Sequence, residues 1–344
     1  MNFNKNNLLT LVLITLGSAT ALTAADKSYC KKLAEMLCGK KSKEKVDPAQ
    51  DSAYLLVKQK PLTQYSAYDK VHIAVAENIN QRPYMEDRCF IYAVKPETAN
   101  EKKELVCAVF DGHGGSEAVD YVQQNFSEQF AKHKGIEPHE ALMQALQKID
   151  HDLKAPQFQE SGTTAIIAHI KNAQATIANV GDSRAILIRD NKVIYETTDH
   201  SLDDPREIKK IKEAGGSIIY KNGGAYVGDI IFYGAINMSR TLGNWNIRKR
   251  PIGRGITAKP DIHTEKMLQN DILVLASDGI WDVLPCDTVA AIIATVRKKN
   301  KLAGTAGFIK EAAEQLNLEA QKRGATDNTT AMILHFKEQP KKTR

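Results

Sequence analysis

The sequence predicts an α+β protein in which layered sheets are covered by helices, and three observations predict it. Short apolar runs of strand length outnumber helical stretches, the helical stretches come in adjacent pairs, and no internal repeat occurs. A chain of 344 residues holds one large domain or two ordinary ones. Its composition, 42% hydrophobic and 26% charged, is that of a soluble globular protein.

The N-terminal stretch stands apart from this pattern. Lys5 is the only charge before LLTLVLITLGSATALTAA, an apolar run that ends in small residues. Residues 1–25 therefore resemble a secretory signal, cut near Ala24 or Ala25, which places the mature chain in a periplasmic or secreted location. An uncleaved membrane anchor is the runner-up, and it is the only route by which this chain is expected to meet a membrane. Residues 26–64 form an extension whose stretch GKKSKEKVDPAQDS, 39–52, is lysine-rich, aperiodic and interrupted by proline, so it reads as a linker.

From about residue 65 the elements follow in order. VHIAVAE, DRCFIYAV and ELVCAVF are strand-like runs, the last apolar enough to be buried on both faces. Val119, Val122, Phe126 and Phe130 then share one stripe of a helix. A second helix is predicted over 138–153. TTAIIAHI, AQATIANV, RAILIRD and KVIYET are four short strands separated by turn-type residues. A polar helix over 204–214 stops at Gly215-Gly216. Residues 217–263 are glycine-rich and are expected to be irregular. DILVLASDG is a buried strand ending in aspartate. Two amphipathic helices follow, with Val289, Ile292, Ile293 and Val296 on one face of the first and Ile309, Ala312, Ala313 and Leu316 on one face of the second. TTAMILHF closes the series as a last strand.

Several function classes are excluded. The net charge is +6, but lysine clusters near both ends supply part of it. No zinc-finger spacing, RNP-type aromatic motif or sustained basic helix occurs, so no nucleic-acid partner is expected. The five cysteines make no disulfide scaffold. Cys30 and Cys38 flank a short stretch and are placed to pair after export, whereas Cys89, Cys107 and Cys286 read as small buried hydrophobes. None has an arginine six residues on, so no thiol nucleophile is indicated. In FDGHGG the third glycine of a dinucleotide fingerprint falls on Glu117, and no phosphate-binding P-loop exists. Asp150 and Asp152 lie in a predicted helix and read as a solvated face.

The chemistry lies at the acidic strand tips. Phe110 leads into Asp111, Ser277 into Asp278, Asp327-Asn328 precedes the last strand, and Met85-Glu86-Asp87 opens another. One such tip is ordinary turn chemistry. Several converging carboxylates repel one another and persist together only when a cation neutralises them. The donors are oxygens without zinc-type Cys or His spacing, which favours Mg²⁺ or Mn²⁺. A calcium loop of the D-x-[DN]-x-[DN]-G type is absent.

The motifs RPYMED, VFDGHGG, SGTTA, NVGDSRA, LASDGIWD and ATDNTT occur in this order. The chain resembles the metal-dependent serine/threonine protein phosphatases of the 2C type over residues 65–337. The resemblance implies two antiparallel β-sheets packed as a central sandwich and flanked by pairs of helices, in four layers, αββα. It implies a catalytic domain over 65–338 and a basic tail over 339–344. It also implies hydrolysis of phosphoserine and phosphothreonine on proteins by a water activated between two Mg²⁺ or Mn²⁺ ions, without a covalent phosphoenzyme. Asp111 would bridge the two ions, Glu86 and the carbonyl of Gly112 would complete one site, and Asp278 and Asp327 the other. Asp182 and Asp282, with Asp278, match a weaker third metal site. Arg82 would clamp the phosphate with paired donors. Asp87 and Asn328 would orient ligands and waters.

His113 takes the general-acid role, because a serine or threonine alkoxide leaves poorly unless protonated. His200 is expected only to fix a turn, and His169 and His335 to be strand residues. Phosphorylated proteins are the implied partners of a monomeric enzyme. Two alternatives are a catalytically silent phosphopeptide-binding module and a hydrolase of small phosphoesters. The sequence departs from the family pattern at three places. Asn80 replaces a glycine two residues before Arg82, Asn244 in SRTLGNW replaces a common aspartate, and YVGDIIFYGAINM replaces a more regular run. Arg248, Lys249, Arg250 and Arg254 read equally as a patch for acidic or phosphorylated peptides and as a solvated basic loop.

Overall fold

Along the run Glu104–His113, successive side chains enter two different apolar layers, and the architecture follows from that alternation. Val106, Ala108 and Phe110 join one buried cluster, while Leu105, Cys107 and Val109 join another. A strand buried on both faces needs a layer on either side of it. In the computed structural model, residues 62–68, 70–94, 103–133, 135–229, 234–300 and 304–337 are described. The signal, the linker 39–52, the tail and the Cys30–Cys38 pair lie outside them, whereas the last residues of the expected extension, 62–64, belong to a strand. Among the described residues no helix is long and apolar enough to cross a membrane.

The elements begin with β1 Leu62–Tyr68, β2 Val71–Asn78, β3 Asp87–Val94 and β4 Glu104–His113, then α1 Glu117–Ala131 and α2 Pro138–Asp152. Next come β5 Gly162–Thr163, β6 Ala165–Lys171, β7 Gln174–Val180, β8 Arg184–Arg189 and β9 Lys192–Glu196. The middle of the chain forms α3 Pro205–Glu213, β10 Ile218–Lys221, β11 Gly224–Asp229, β12 Gly234–Ile236, β13 Leu242–Gly243 and α4 Trp245–Arg248. The last elements are β14 Asp261–Lys266, β15 Ile272–Ala276, α5 Asp278–Trp281, α6 Cys286–Lys299, α7 Gly304–Lys322 and β16 Thr329–Phe336.

One sheet runs β1-β2-β16-β15-β8-β9, and the other runs β13-β5-β4-β6-β7-β14 with β3 paired to β4. The strand pairs of both sheets are antiparallel. Leu273, Leu275, Met332 and Leu334 face the layer between the sheets, with Leu105, Val109, Ile166 and Ile177 opposite. On the outer face of the first sheet, Ala74, Val274 and Ile333 meet Val289 and Ile293 of α6 and Ile309 and Leu316 of α7. On the outer face of the second, Phe110 and Ile167 meet Val119, Val122 and Phe126 of α1 and Leu142 and Ile149 of α2. The fold is thus the αββα sandwich that the resemblance implied.

Two local expectations are corrected. The glycine-rich stretch 217–263 is not irregular. It holds a three-stranded sheet, β10-β11-β12, together with β13, α4 and the start of β14. Those strands are short, and Gly228 and Gly234 have positive φ of 126° and 79° that break the alternation, so no period long enough to read survives. The second correction concerns β4, which does not stop at Phe110. It continues to His113 because Gly112 pairs with Thr163 and His113 with Gly162. Asp111 is therefore held on a strand rather than in a loop.

Candidate active site

The strand ends carrying the acidic residues gather at one end of the sandwich. Asp111 faces Asp87 across β4 and β3, and Thr329 faces Asn78 across β16 and β2. Backbone bonding fixes Asp111 in place. Its N–H is donated to Thr164 Oγ1 at 3.2 Å, and its carbonyl accepts from Thr164 N at 2.9 Å and Thr163 Oγ1 at 3.0 Å. Gly112 donates to the Glu86 carbonyl at 3.2 Å, and a Cβ there would stand 2.7 Å from both that oxygen and a Val119 methyl. Only glycine lets the two acidic segments approach this closely.

Arg82, Glu86, Asp111, Gly112, His113, Asp182, Asp278 and Asp327 all line one cavity of 350 Å³. Asp87 and Asn328 stand behind it. Asp87 is buried and accepts from Ser277 Oγ at 2.7 Å. Asn328 stitches the 79–86 loop to β16, accepting from Glu86 N at 2.7 Å and donating to the carbonyls of Ile79 at 3.0 Å and Tyr84 at 3.1 Å. Asp282 does not line the cavity. It follows Asp278 by one turn, its N–H bonded to the Asp278 carbonyl at 2.8 Å.

The electrostatics record the crowding. Burial pushes the Asp111 carboxyl well above the usual range, and the charges of Asp87, Asp278, Asp182 and Asp327 push it further. Asp278 is raised in the same way by burial and then by Asp182, Asp282, Asp327 and Asp87. Burial carries Asp182 to about 7 and Asp87 to about 6. Asp282 is raised by burial and by Asp327 and Asp199. Asp87 Oδ1, Asp182 Oδ1 and Asp278 Oδ1 are buried without a hydrogen-bond partner. Buried carboxylate oxygens with no donor, set among like charges, are the donor set a divalent cation takes.

Among the described residues, no three His, Cys, Asp or Glu side chains are drawn together tightly enough to grip one ion as they stand. Two of the carboxylates are engaged elsewhere. Asp327 is ion-paired with Arg82, and Glu86 Oε1 accepts from Gly115 N at 3.0 Å. The oxygen donors fit Mg²⁺ or Mn²⁺, and in each of these two contacts the carboxylate keeps its other oxygen for an ion.

His113 is half-buried, and its Nε2 lies 2.7 Å from Asn244 Oδ1. Burial lowers its pKa, and the bond to Asn244 offsets part of that. Thr241 Oγ1 donates to the same Asn244 oxygen at 3.0 Å, and Asn244 takes a left-handed φ of 52° to present it. A Cβ on Gly162 would sit 1.9 Å from Asn244 Oδ1 and 2.7 Å from His113 Nε2. Asn244 and Gly162 were visible in SRTLGNW and SGTTA, but nothing in the spacing joined them to His113.

The stretch 226–238, which departs from the family pattern, lines the same cavity: Tyr226 and Ile236 come from the small sheet, Met238 follows it, and Ile247 lies on α4. Asp150 is not on a solvated face. It is buried, its carboxylate grips the Arg248 guanidinium with both oxygens, and Oδ1 accepts from Gly243 N at 3.0 Å. Arg248 also lies 4.1 Å over the Trp245 ring, so its charge is spent inside the protein and is withheld from the basic loop. His200 does fix a turn, accepting from Gly181 N at 3.1 Å. Cys107 is fully buried, and burial pushes the Cys89 thiol up to about 12, so neither offers a thiolate.

A two-sheet sandwich with an acidic, arginine- and histidine-lined cavity at one end is the arrangement of a protein serine/threonine phosphatase, and comparison with known proteins agrees. The chain belongs to the protein phosphatase 2C family, whose model matches residues 71–329. Protein phosphatase 1L of Bos taurus is 30% identical over 286 residues, covering 78% of this chain and 74% of that protein. The probable protein phosphatase 2C 59 of Arabidopsis thaliana is 30% identical over 273 residues, covering 78% and 80%. Among solved structures, a phosphatase from Toxoplasma gondii superposes with a TM-score of 0.68 at 20% identity, covering 81% of this chain and 96% of that one, a likeness of fold. Members of the family generally depend on Mg or Mn.

Proposed function

We propose that this chain hydrolyses phosphoserine and phosphothreonine on proteins at the acidic cavity, without a covalent phosphoenzyme. The observation that carries the reading is the convergence of Glu86, Asp111, Asp182, Asp278 and Asp327, from five separated stretches, on one cavity that also holds His113 and Arg82. Glu86, Asp111 and the Gly112 carbonyl would hold one Mg²⁺ or Mn²⁺, Asp111, Asp278 and Asp327 a second, and Asp182, Asp278 and Asp282 a weaker third. Bound there, the ions would neutralise the carboxylates and lower the pKa of a water to the range where it attacks phosphorus.

The chain's own side chains do the rest. Arg82, half-exposed at the cavity mouth, exchanges Asp327 for the phosphate oxygens of the substrate. His113 supplies the proton the leaving alkoxide needs. The Asn244 oxygen keeps one proton on Nε2, which leaves Nδ1 as the nitrogen that carries the transferable one. All of Glu86, Asp111, Asp278 and Asp327 are present, which speaks against a silent phosphopeptide binder.

Asp111→Asn and Asp278→Asn test the assignment. Each is expected to abolish Mn²⁺-supported, chelator-sensitive turnover of a phosphothreonine peptide. Each should also raise the unfolding temperature of the metal-free protein by removing one repelling charge. Full turnover in either variant would refute the ligand assignment. Faster turnover of sugar or nucleotide phosphates than of phosphopeptides would favour the small-phosphoester reading instead.

A further inference from the structure

Two segments meet at the mouth of the acidic cavity. The loop between β2 and β3 carries Arg82 and Glu86, and the turn before β16 carries Asp327. Gln81 N donates to the Thr326 carbonyl at 3.2 Å, and Asn328 holds the loop at Ile79, Tyr84 and Glu86. Asn80 reaches across from the other side. Its Nδ2 donates to the Asp327 carbonyl at 2.7 Å and to Thr329 Oγ1 at 3.2 Å, so both amide hydrogens are used. Its backbone N–H donates to Asn78 Oδ1 at 3.0 Å, which ties the turn to the end of β2.

The needs of the turn do not account for this asparagine. Asn80 has a left-handed φ of 49°. Glycine takes that conformation without strain, and asparagine is among the few other residues that visit it. The backbone therefore asks only for tolerance of positive φ, and the side chain is an addition. Asn80 Oδ1 is also buried with no hydrogen-bond partner among the described residues. A buried acceptor without a donor costs stability, and glycine would avoid that cost. What the side chain contributes is a fixed main chain at Asp327.

That carboxylate lies ahead of β16 and not within it, whereas Asp111 is held on a strand. Asp327 Oδ1 accepts from Asn328 N at 2.7 Å, and its other oxygen is ion-paired with Arg82. In the proposed reaction Arg82 turns to the substrate phosphate, so the ion pair is no permanent hold. The bond from Asn80 to the Asp327 carbonyl does not involve Arg82 and persists when it leaves.

We propose that Asn80 is a positioning residue, whose amide fixes the main chain at Asp327 and keeps that carboxylate at the cavity while Arg82 engages the phosphate. This role rests on Asp327 being a ligand of the second ion, as proposed for the reaction.

Calorimetric titration of the metal-free full chain with Mn²⁺ tests the role, run beside Asn80→Gly, Thr329→Val and Asp327→Asn. Glycine keeps the left-handed turn and removes only the side chain. Asn80→Gly is expected to weaken Mn²⁺ binding by about tenfold, as loss of a group supporting a metal ligand typically does. The Mn²⁺ concentration for half-maximal turnover of a phosphothreonine peptide should rise by the same factor, with the loss made up by excess Mn²⁺. Thr329→Val removes the other acceptor of Asn80 and leaves the Asp327 carbonyl bonded, so it should bind Mn²⁺ nearly as the parent chain does, whatever its unfolding midpoint. Unchanged affinity in Asn80→Gly would overturn the proposal. An equal loss in Thr329→Val would overturn it too, because Asn80 would then only support the fold. Asp327→Asn separates the two layers of the reading. If it binds Mn²⁺ like the parent chain, Asp327 is no ligand and the role of Asn80 falls with it. If it binds more weakly while Asn80→Gly does not, the ligand stands and only the positioning role is lost.

Discussion

At the scale of single residues, the unit to test is His113, Asn244 and Gly162. A neutral amide holds the imidazole, and the missing side chain at Gly162 makes room for that contact. Asn244 acts by positioning His113, so its loss should resemble partial loss of the acid. Asn244→Ala is expected to lower kcat for a phosphothreonine peptide by about 10-fold or more, within the 10²–10⁴ that general acid catalysis typically contributes. Turnover of an aryl phosphate, whose leaving group needs little protonation, should fall much less. Equal losses on both substrates would mean that Asn244 only supports the fold. The substitution itself was plain in SRTLGNW, whereas its contact spans 131 residues of chain and was not.

At the scale of elements, α4 and β13 are fastened to α2 by one buried carboxylate. Asp150 and Arg248 have side chains about nine-tenths buried, and Gly243 N shares the same carboxylate. Removing one partner of such a pair strands the other charge, which typically costs about 3–5 kcal/mol. Asp150→Ala is therefore expected to lower unfolding stability by roughly that amount in urea titration. A loss below about 1 kcal/mol would show that the pair is solvated, as surface pairs are. The long periodic elements were legible because both faces of each strand and one stripe of each helix are apolar. Val119, Val122, Phe126 and Phe130 are buried on α1 as that stripe requires. The β10–β12 sheet was not legible, since strands of three to six residues broken by glycine carry too little pattern.

At the scale of the molecule, the last strand carries a titrating group in the packed interior. His335 is buried on β16 against Phe308, and both ring nitrogens lack hydrogen-bond partners. Burial, then the charges of Arg297 and His72, lower its pKa from 6.5 to about 4. The unfolded chain therefore takes up this proton first as pH falls, so the native state loses stability between pH 6.5 and 4 and keeps it above 6.5. His335→Phe should flatten that part of the stability–pH curve relative to the parent chain, as read from urea midpoints at pH 7.5 and 5. Parallel curves for the two proteins would refute the assignment.

What the sequence determined by itself is the long periodic elements, the layering of sheets under helices and the acidic residues at the strand tips, because apolar period and turn chemistry are local properties of a chain. What only the tertiary structure decided is how those tips are wired: Asp111 held on a strand, Asp327 paired with Arg82, His113 held by Asn244, and Asp150 turned inward to Arg248. These are contacts between residues 98 to 245 apart in sequence, except the strand pairing at Asp111, which spans the helices between β4 and β5. Side-chain charge and hydrogen bonding act over a few ångströms of space, and spacing along the chain does not encode which distant partner will stand at that distance.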